Sequence, residues 1–176
     1  MPDHSRQSEP HIPFQIFRRA EIPDCGKNSG TRPEELTPIM EEGMGRLYEA
    51  GLSDGVIVKS LFDAPGFGLN YVWLKSGFPL PLHAHDTDCL YYIIAGSVSL
   101  GRKTLGAGDG FFVSANTPYV YKIGADGVEV FEIRHRQDIN TTYQRDDKEY
   151  WEKLLNTLRA NHENWAQELP PQYVTP

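Results

Sequence analysis

Several features that would place a protein outside the cytoplasm or on a nucleic acid are absent from this sequence. Only two cysteines, Cys25 and Cys89, occur among 176 residues, too few for a disulfide framework. The first residues, MPDHSRQSEPHIPF, contain no apolar signal-peptide core. The longest apolar run, Leu90 to Ala95, is far shorter than the roughly 20 residues that span a bilayer. The formal net charge is -7 and Lys or Arg runs are lacking, so we expect a cytoplasmic protein with no nucleic-acid or membrane partner.

Short segments rich in β-branched and aromatic residues occupy the chain from 56 to 135. They read VIVKSLF, LNYVWLK, LYYIIAGSVSL, DGFFVS, YVYKI and VEVFEIRH. Gly, Pro, Asn or Asp stands at nearly every junction, which is typical of closely spaced antiparallel strands in a sandwich or barrel. Strands do not alternate with helices, which argues against a doubly wound α/β fold. We therefore predict an all-β domain over 56–135, flanked by segments 1–55 and 136–176.

The flanking segments are predicted to be an N-terminal arm with a short helix and a C-terminal helical extension. The arm contains an edge-strand pattern, HIPFQIF, and the stretch 31–34 has the capping Thr and Glu of a helix start. Pro38 predicts that this helix is short or broken. Between Asp146 and Leu169, an apolar stripe predicts an amphipathic helix that packs on the β domain or on a partner chain. The stripe consists of Trp151, Leu154, Leu155 and Leu158.

The stretch from Gly77 to Gly96 resembles the first sequence motif of the cupins. That motif is Gly, five residues, His-x-His, three or four residues, Glu, six residues and Gly. This sequence keeps the spacing, with His83 and His85 at the histidine positions and Cys89 where cupins usually have Glu. The second cupin motif is matched at Gly108-Asp109 and in its hydrophobic pattern. It departs at Ser114, Asn116 and Tyr119, the last of which stands where cupins have a third histidine.

This resemblance implies an antiparallel jelly-roll (cupin) barrel and, because cupins are often dimeric, a homodimer. It also implies a divalent metal at the mouth of the barrel, held in cupins by His, His, Glu and His. A cysteine at the Glu position also occurs in thiol dioxygenases, which are cupins that keep the third histidine. Because Tyr119 stands at that position here, the thiol dioxygenase activity is not carried over.

The alternation of side chains along a strand predicts which residues face the inside of the barrel. Residues two apart share a face, so the two histidines of the first motif point the same way, which is inward in the cupin register. The same parity on the following strands adds one thiol and three phenols to the cavity. The predicted inward set is His83, His85, Cys89, Tyr91, Ile93, Tyr119 and Tyr121.

His83, His85 and Cys89 are the candidate ligands of a divalent metal, with Fe, Zn, Ni or Mn as the candidates. Two imidazoles alone are too few, since catalytic metal sites usually have three protein ligands. A Cys89 thiolate or a Tyr119 phenolate would complete the set. The alternative is that the histidines bond to tyrosines and water while Cys89 is a small buried hydrophobe, which is how free cysteine usually behaves.

Further polar residues are candidates for catalysis or ligand binding. Tyr119 and Tyr121 are the candidate catalytic residues, and Tyr91 and Glu132 are the candidate cofactor-binding residues. If Glu132 points inward, it is a replacement acid ligand or a general base, and Arg134 would then clamp a carboxylate. The alternative for Glu132 and Arg134 is a charged face in contact with solvent.

Three functions are compatible with these residues. The first is a metal-dependent enzyme that acts on a small organic molecule, for example a dioxygenase, isomerase or lyase. The second is a metal-free cupin that binds or senses a small molecule without catalysis. The third is metal-free catalysis in which His and Tyr serve as acid and base. The sequence alone leaves these alternatives open.

Overall fold

The computed structural model describes residues 14–25 and 31–173, which form a mostly β structure with two helices and two sheets. The elements are, in order, β1 (Thr31–Pro33), α1 (Pro38–Glu49), β2 (Val56–Ala64), β3 (Phe67–Leu74), β4 (His83–His85), β5 (Cys89–Leu100), β6 (Lys103–Gly106), β7 (Gly110–Val113), β8 (Lys122–Arg134), β9 (Ile139–Tyr143) and α2 (Lys148–Trp165). Short 3-10 turns occur at Arg19–Glu21, Leu52–Gly55 and Pro171–Tyr173.

The strands pair as two separate sheets. Five strands of the larger sheet follow the order β2-β3-β8-β5-β6, and β7 pairs with β5 as well. The smaller sheet has the order β1-β9-β4, with β1 parallel to β9. Pairing among the described strands does not close the two sheets into the jelly-roll barrel that was expected. The coarser expectation, a mostly β fold with a helix before and a helix after the strands β2 to β9, is confirmed.

Two predictions about single elements need correction. The residues Thr31–Pro33 form strand β1 rather than the start of a helix, because β9 supplies a backbone partner for them. Helix α1 begins at Pro38, where the missing N–H costs nothing, and Thr37 caps it by accepting a hydrogen bond from the Met40 N–H at 3.2 Å. In the HIPFQIF pattern, residues 11–13 lie outside the described residues, and 14–18 have no regular structure.

The C-terminal helix α2 follows its predicted pattern and packs within the chain. Asp147 caps it, and its buried face consists of Trp151, Leu155, Leu158 and Trp165. Trp165 stacks on Phe78 and donates a hydrogen bond to the Ser76 carbonyl at 2.8 Å. The apolar stripe is therefore covered by this chain's own residues, so it does not require a partner chain. Neither helix in the described part of the chain has the length and apolarity needed to cross a membrane.

Strand β9 was not predicted, and it pairs with β4, the strand that carries the first-motif histidines. In this pairing His83 lies opposite Tyr143 and His85 lies opposite Thr141. On the other side, the backbone of His83 exchanges two hydrogen bonds with that of Tyr119, at 3.2 and 2.9 Å. These pairings hold the short strand β4 between β9 and the segment that contains Tyr119.

Candidate functional site

The two motif histidines are buried and their rings are held by oxygen acceptors. His83 is 7% exposed and His85 is 8% exposed. Nδ1 of His83 lies 2.7 Å from the Pro81 carbonyl, and Nδ1 of His85 lies 3.2 Å from the Asn140 carbonyl. A carbonyl can only accept, so each Nδ1 carries the hydrogen and each Nε2 is left as the acceptor in the neutral ring.

A continuous chain of hydrogen bonds runs from β4 to β8 through the interior. His83 Nε2 lies 3.0 Å from the Tyr119 hydroxyl, which lies 2.5 Å from the Tyr91 hydroxyl. Tyr91 donates to Glu132 Oε1 at 2.7 Å. The other carboxylate oxygen, Oε2, pairs with Arg134 Nη2 at 2.5 Å. Four of the predicted site residues are thus brought together in one network, with Arg134 at its end.

Glu132 and Arg134 are both 5% exposed, so the alternative of a solvated charged face is wrong for them. Their strand β8 lies inside the larger sheet, between β3 and β5, and the face that these two side chains share turns toward the interior, where Tyr91 donates to Glu132. Burial opposes the ionisation of Glu132, but the Arg134 guanidinium outweighs it and lowers the pKa of the carboxyl. Burial also opposes the charge on Arg134, and the Glu132 carboxylate raises its pKa. The pair is therefore ionised.

The His, Cys and Tyr side chains around this ion pair are uncharged near neutral pH. Burial, followed by the neighbouring His85, lowers the pKa of His83 to about 4, and burial also lowers the pKa of His85. Burial raises the pKa of Cys89 to about 12, and burial followed by the nearby Glu132 carboxylate raises the pKa values of Tyr91 and Tyr119. Neutral imidazoles, a thiol and phenols thus surround the Glu132–Arg134 ion pair.

Cys89 and Tyr121 face inward as predicted but stand outside the hydrogen-bond chain. Cys89 is 1% exposed, and its Sγ lies 3.7 Å from the Thr87 carbonyl. Tyr121 is buried with its ring 5.5 Å from that of Phe111 and 6.2 Å from that of Tyr91. The neighbours of the inward residues on β5, Leu90 and Tyr92, are 44% and 47% exposed, which confirms the predicted parity of this strand.

A cavity of about 130 Å³ lies among these groups, and we call it the polar cavity. Its polar lining is His83, His85, Tyr91, Tyr119, Tyr121, Glu132 and Arg134. Its apolar wall includes Val58, Val72, Leu80 and Val130. Polar groups that converge on one space beside an apolar wall are typical of a small-molecule site.

The described residues provide two ligands of a metal site and not three. Both rings have Nδ1 bound to an oxygen, which is the usual arrangement around metal-binding histidines. However, among residues 14–25 and 31–173 no three His, Cys, Asp or Glu side chains are grouped so that they could hold a metal ion. Cys89 is a neutral thiol, and the Tyr119 hydroxyl is already bonded to His83 and Tyr91. The residues present therefore do not fit the cupin set of four ligands.

Three buried polar residues were not predicted from the sequence, and one of them, Thr141, contacts a site residue. Thr141 lies on the unpredicted strand β9, and its hydroxyl is 3.1 Å from His85 Nδ1. Asn70 on β3 is 1% exposed, and neither side-chain atom has a hydrogen-bond partner in the described part of the chain. Thr87, 2% exposed, lies 2.9 Å from Nδ1 of the exposed His135. A polar residue inside an apolar strand pattern, such as Asn70 in LNYVWLK, is the one signal that could have been used.

The fold of these two sheets is similar to the cupin fold. A protein of unknown function with a cupin-like fold from Ralstonia eutropha JMP134 is 16% identical over 87% of this chain and 89% of that chain, with a TM-score of 0.51. An RmlC-like cupin from Shewanella frigidimarina NCIMB 400 is 22% identical over 47% of this chain and 78% of that chain, with a TM-score of 0.43. The resemblance of the first motif to the cupins is thus matched by the fold.

Structures of enzymes are also similar to this chain. A salicylate 1,2-dioxygenase from Pseudoaminobacter salicylatoxidans, in complex with gentisate, is 15% identical over 60% of this chain and 36% of that chain, with a TM-score of 0.45. Comparison with protein-family models and with curated proteins found no match. At these identities the similarity concerns the fold alone, and a fold does not by itself imply a function.

Proposed function

We propose that the protein binds a small organic molecule in the polar cavity and that His83 and Tyr119 hold or move a proton on it, without a resident metal. The observation that carries this proposal is the hydrogen bond between His83 Nε2 and the Tyr119 hydroxyl, on the wall of a cavity that also holds a buried ion pair. A neutral imidazole and a phenol at hydrogen-bonding distance form an acid–base pair.

The number of protons in the hydrogen-bond chain supports an acid–base function. Three hydrogen-bonding contacts join His83, Tyr119, Tyr91 and Glu132 in a row. Only two hydrogens are available for them, one from the hydroxyl of each tyrosine. Nδ1–H of His83 is directed at the Pro81 carbonyl, and Glu132 is ionised by Arg134. One link is therefore short of a proton, and a proton accepted from a ligand would complete the chain. This is the chemistry that a metal-free isomerase or lyase needs.

A divalent metal at His83 and His85 is the second candidate function. It is favoured by the two Nδ1 contacts, which leave both Nε2 atoms as acceptors in rings that line the same cavity. The ring centroids lie 4.8 Å apart. A metal there would act as a Lewis acid on a bound molecule. It would need ligands other than the two histidines, from water or from the bound molecule.

Elemental analysis separates the two candidates. The protein purified without chelator is analysed for metal, alongside His83→Ala and Tyr119→Phe. Our proposal expects substoichiometric metal in all three proteins. It also expects thermal stabilisation by small organic acids, diketones or aromatic compounds that is unchanged by EDTA and weakened in Tyr119→Phe. Stoichiometric metal in the unmodified protein that is lost in His83→Ala would contradict the proposal and support the metal candidate.

Four further inferences accompany the function. We infer that the two sheets are the walls of a jelly-roll, and that this domain extends to Tyr143, because β9 pairs with β4. The cupin resemblance supports a homodimer, and the composition supports a cytoplasmic location.

A further inference from the structure

Arg134 carries two buried donors that nothing described in the chain satisfies. Its Nη2 pairs with Glu132, but Nε and Nη1 have no hydrogen-bond acceptor among the described residues. The residue is 5% exposed and lines the polar cavity. A buried donor without an acceptor is costly, and more so when it belongs to a charged group. A ligand group with acceptor oxygens would satisfy these donors, and a carboxylate would do so with charge-assisted hydrogen bonds.

A second space adjoins the polar cavity, and we call it the apolar pocket. It has a volume of about 320 Å³, and its lining includes Leu36, Met44, Leu52, Val56 and Phe78. Val58 and Leu80 line both spaces. The two spaces are thus neighbours that share part of a wall. An engineered cavity of about 150 Å³ holds a benzene molecule, so the apolar pocket has room for a hydrocarbon chain or ring.

We propose that the ligand is an amphiphilic monocarboxylate, whose carboxylate is bound by Arg134 in the polar cavity and whose apolar body lies in the apolar pocket. This inference rests on the proposed function for one point, the location of the ligand site in the polar cavity. The charges favour one acid group, because Glu132 neutralises Arg134 while two guanidinium donors still lack acceptors. The lining of the apolar pocket has hydroxyls, from Tyr48, Ser53, Thr141 and Tyr143, but among the described residues no charged side chain that would neutralise a second acid group.

Straight-chain carboxylates from acetate to octanoate are the probes, and calorimetry on the full chain is the measurement. Each added CH₂ that enters the apolar pocket is expected to raise the affinity about fourfold until the pocket is full. Hexanamide, which has the same shape without the charge, is expected to bind at least about tenfold more weakly than hexanoate. An affinity for hexanamide equal to that for hexanoate would overturn the carboxylate assignment.

Two variants locate the two ends of the ligand. Leu36→Trp fills the apolar pocket, so it is expected to lower the affinity for octanoate by about tenfold or more and to leave the affinity for acetate unchanged. Arg134→Lys is expected to lower the affinity for all the carboxylates by a similar factor and to leave the affinity for hexanamide unchanged. If Arg134→Lys does not fold, the comparison of acid with amide in the unmodified protein and the Leu36→Trp result still decide the question.

The outcomes also separate this inference from the proposed function. Tight binding of hexanamide or hexanol that is weakened by Tyr119→Phe would retain the proposed function and overturn the carboxylate ligand. Carboxylate affinity that is insensitive to chain length and to Leu36→Trp would overturn the role of the apolar pocket. If none of the acids, amides or alcohols binds at millimolar concentration, both the inference and the proposed site are overturned.

Discussion

At the scale of single residues, the interior of this protein consists of ordinary groups whose charge states are set by burial. Cys89, His83 and Tyr119 are all uncharged near neutral pH because the charged form of each would lose its hydration. Glu132 and Arg134 are the exception, since each stabilises the charge of the other. Cys89, which looks reactive in the sequence, is therefore a neutral thiol in the fold.

Cys89 is expected to be nearly unreactive toward iodoacetamide in the folded protein. With a pKa raised to about 12 by burial, its thiolate fraction at pH 8 is about a thousandfold lower than that of an ordinary cysteine. The measurement is the alkylation rate of a Cys25→Ser variant, folded and in denaturant. The Cys89→Ser variant, which keeps only the half-buried Cys25, is the matched control. Equal rates for folded and denatured Cys89 would contradict its burial as a neutral thiol.

Protonation of His83 is expected to lower stability in mild acid. Its folded pKa, about 4, lies below the ordinary value of 6.5, so the unfolded chain binds the proton more tightly. The free energy of unfolding is therefore unaffected by the protonation of His83 above about pH 6.5. It falls by up to about 3 kcal/mol as the pH decreases toward 4. Urea unfolding at several pH values measures it. Glutamine does not titrate, so the stability of His83→Gln should depend less on pH over this range. If the free energy of unfolding has the same slope against pH in both proteins, His83 is not a neutral buried residue.

At the scale of elements, the contact between the two helices depends on a glycine. A Cβ built on Gly43 of α1 would lie 2.5 Å from the Trp151 ring of α2, whereas one on Gly45 would meet nothing within 4 Å. The helices therefore approach closely at one position where the side chain is missing. The tryptophan ring is rigid and is itself 3% exposed, so it has little room to move away.

Gly43→Ala and Gly45→Ala are consequently expected to have opposite effects on stability. Gly43→Ala should lower the free energy of unfolding by roughly 1–3 kcal/mol, because it overpacks the contact with Trp151. Gly45→Ala should raise it by roughly 0.5–1 kcal/mol, because alanine is a better helix former at an exposed position. Urea denaturation of both variants is the test. Equal effects would mean that α1 and α2 do not pack as described.

At the scale of the whole molecule, Glu129 joins both ends of the described chain to the larger sheet. It is fully buried on the face of β8 opposite Glu132. Its carboxylate accepts hydrogen bonds from Arg19 at 3.1 Å, from Tyr71 at 2.5 Å, and from the backbone and side chain of Gln172 at 2.8 Å each. One carboxylate thus connects the N-terminal segment, β3 and the C-terminal segment.

Loss of this carboxylate is expected to destabilise the whole chain. Glu129→Ala removes four hydrogen bonds to a charged group, and we expect the free energy of unfolding to fall by roughly 2–3 kcal/mol. Glu163→Ala, at an exposed position of α2, is the matched control and should change little. Chemical denaturation gives the values. A Glu129→Ala variant as stable as the control would show that the two ends are not held there.

The homodimer implied by the cupin resemblance remains a prediction, and the structure changes where its interface is expected. The apolar face of α2 is buried within the chain, whereas Leu90, Tyr92 and Phe112 are exposed on the outer face of the larger sheet. Leu90 and Phe112 lie directly opposite each other on paired strands. Light scattering should give a dimer at micromolar concentration and a monomer for Phe112→Glu. A monomer of the unmodified chain would end this prediction.

The sequence by itself determined the class of fold and the direction of its side chains. The spacing from Gly77 to Gly96 and the period of two along β5 were enough to predict a buried His83, His85, Cys89 and Tyr91. Side-chain direction can be predicted locally because neighbouring side chains of a strand must point to opposite faces. The helix α2 was predictable for the same reason, since its apolar spacing is local.

Only the tertiary structure decided how these groups are paired. Strands β1 and β9 have little pattern of their own and exist because they pair with each other. Glu132 and Arg134 are buried because their face of β8 is turned toward side chains from distant segments, such as His83 and Tyr119, and the chain from His83 to Glu132 joins residues far apart in sequence. Hydrogen bonds and charge states depend on distances between such residues, and local sequence patterns do not specify those distances.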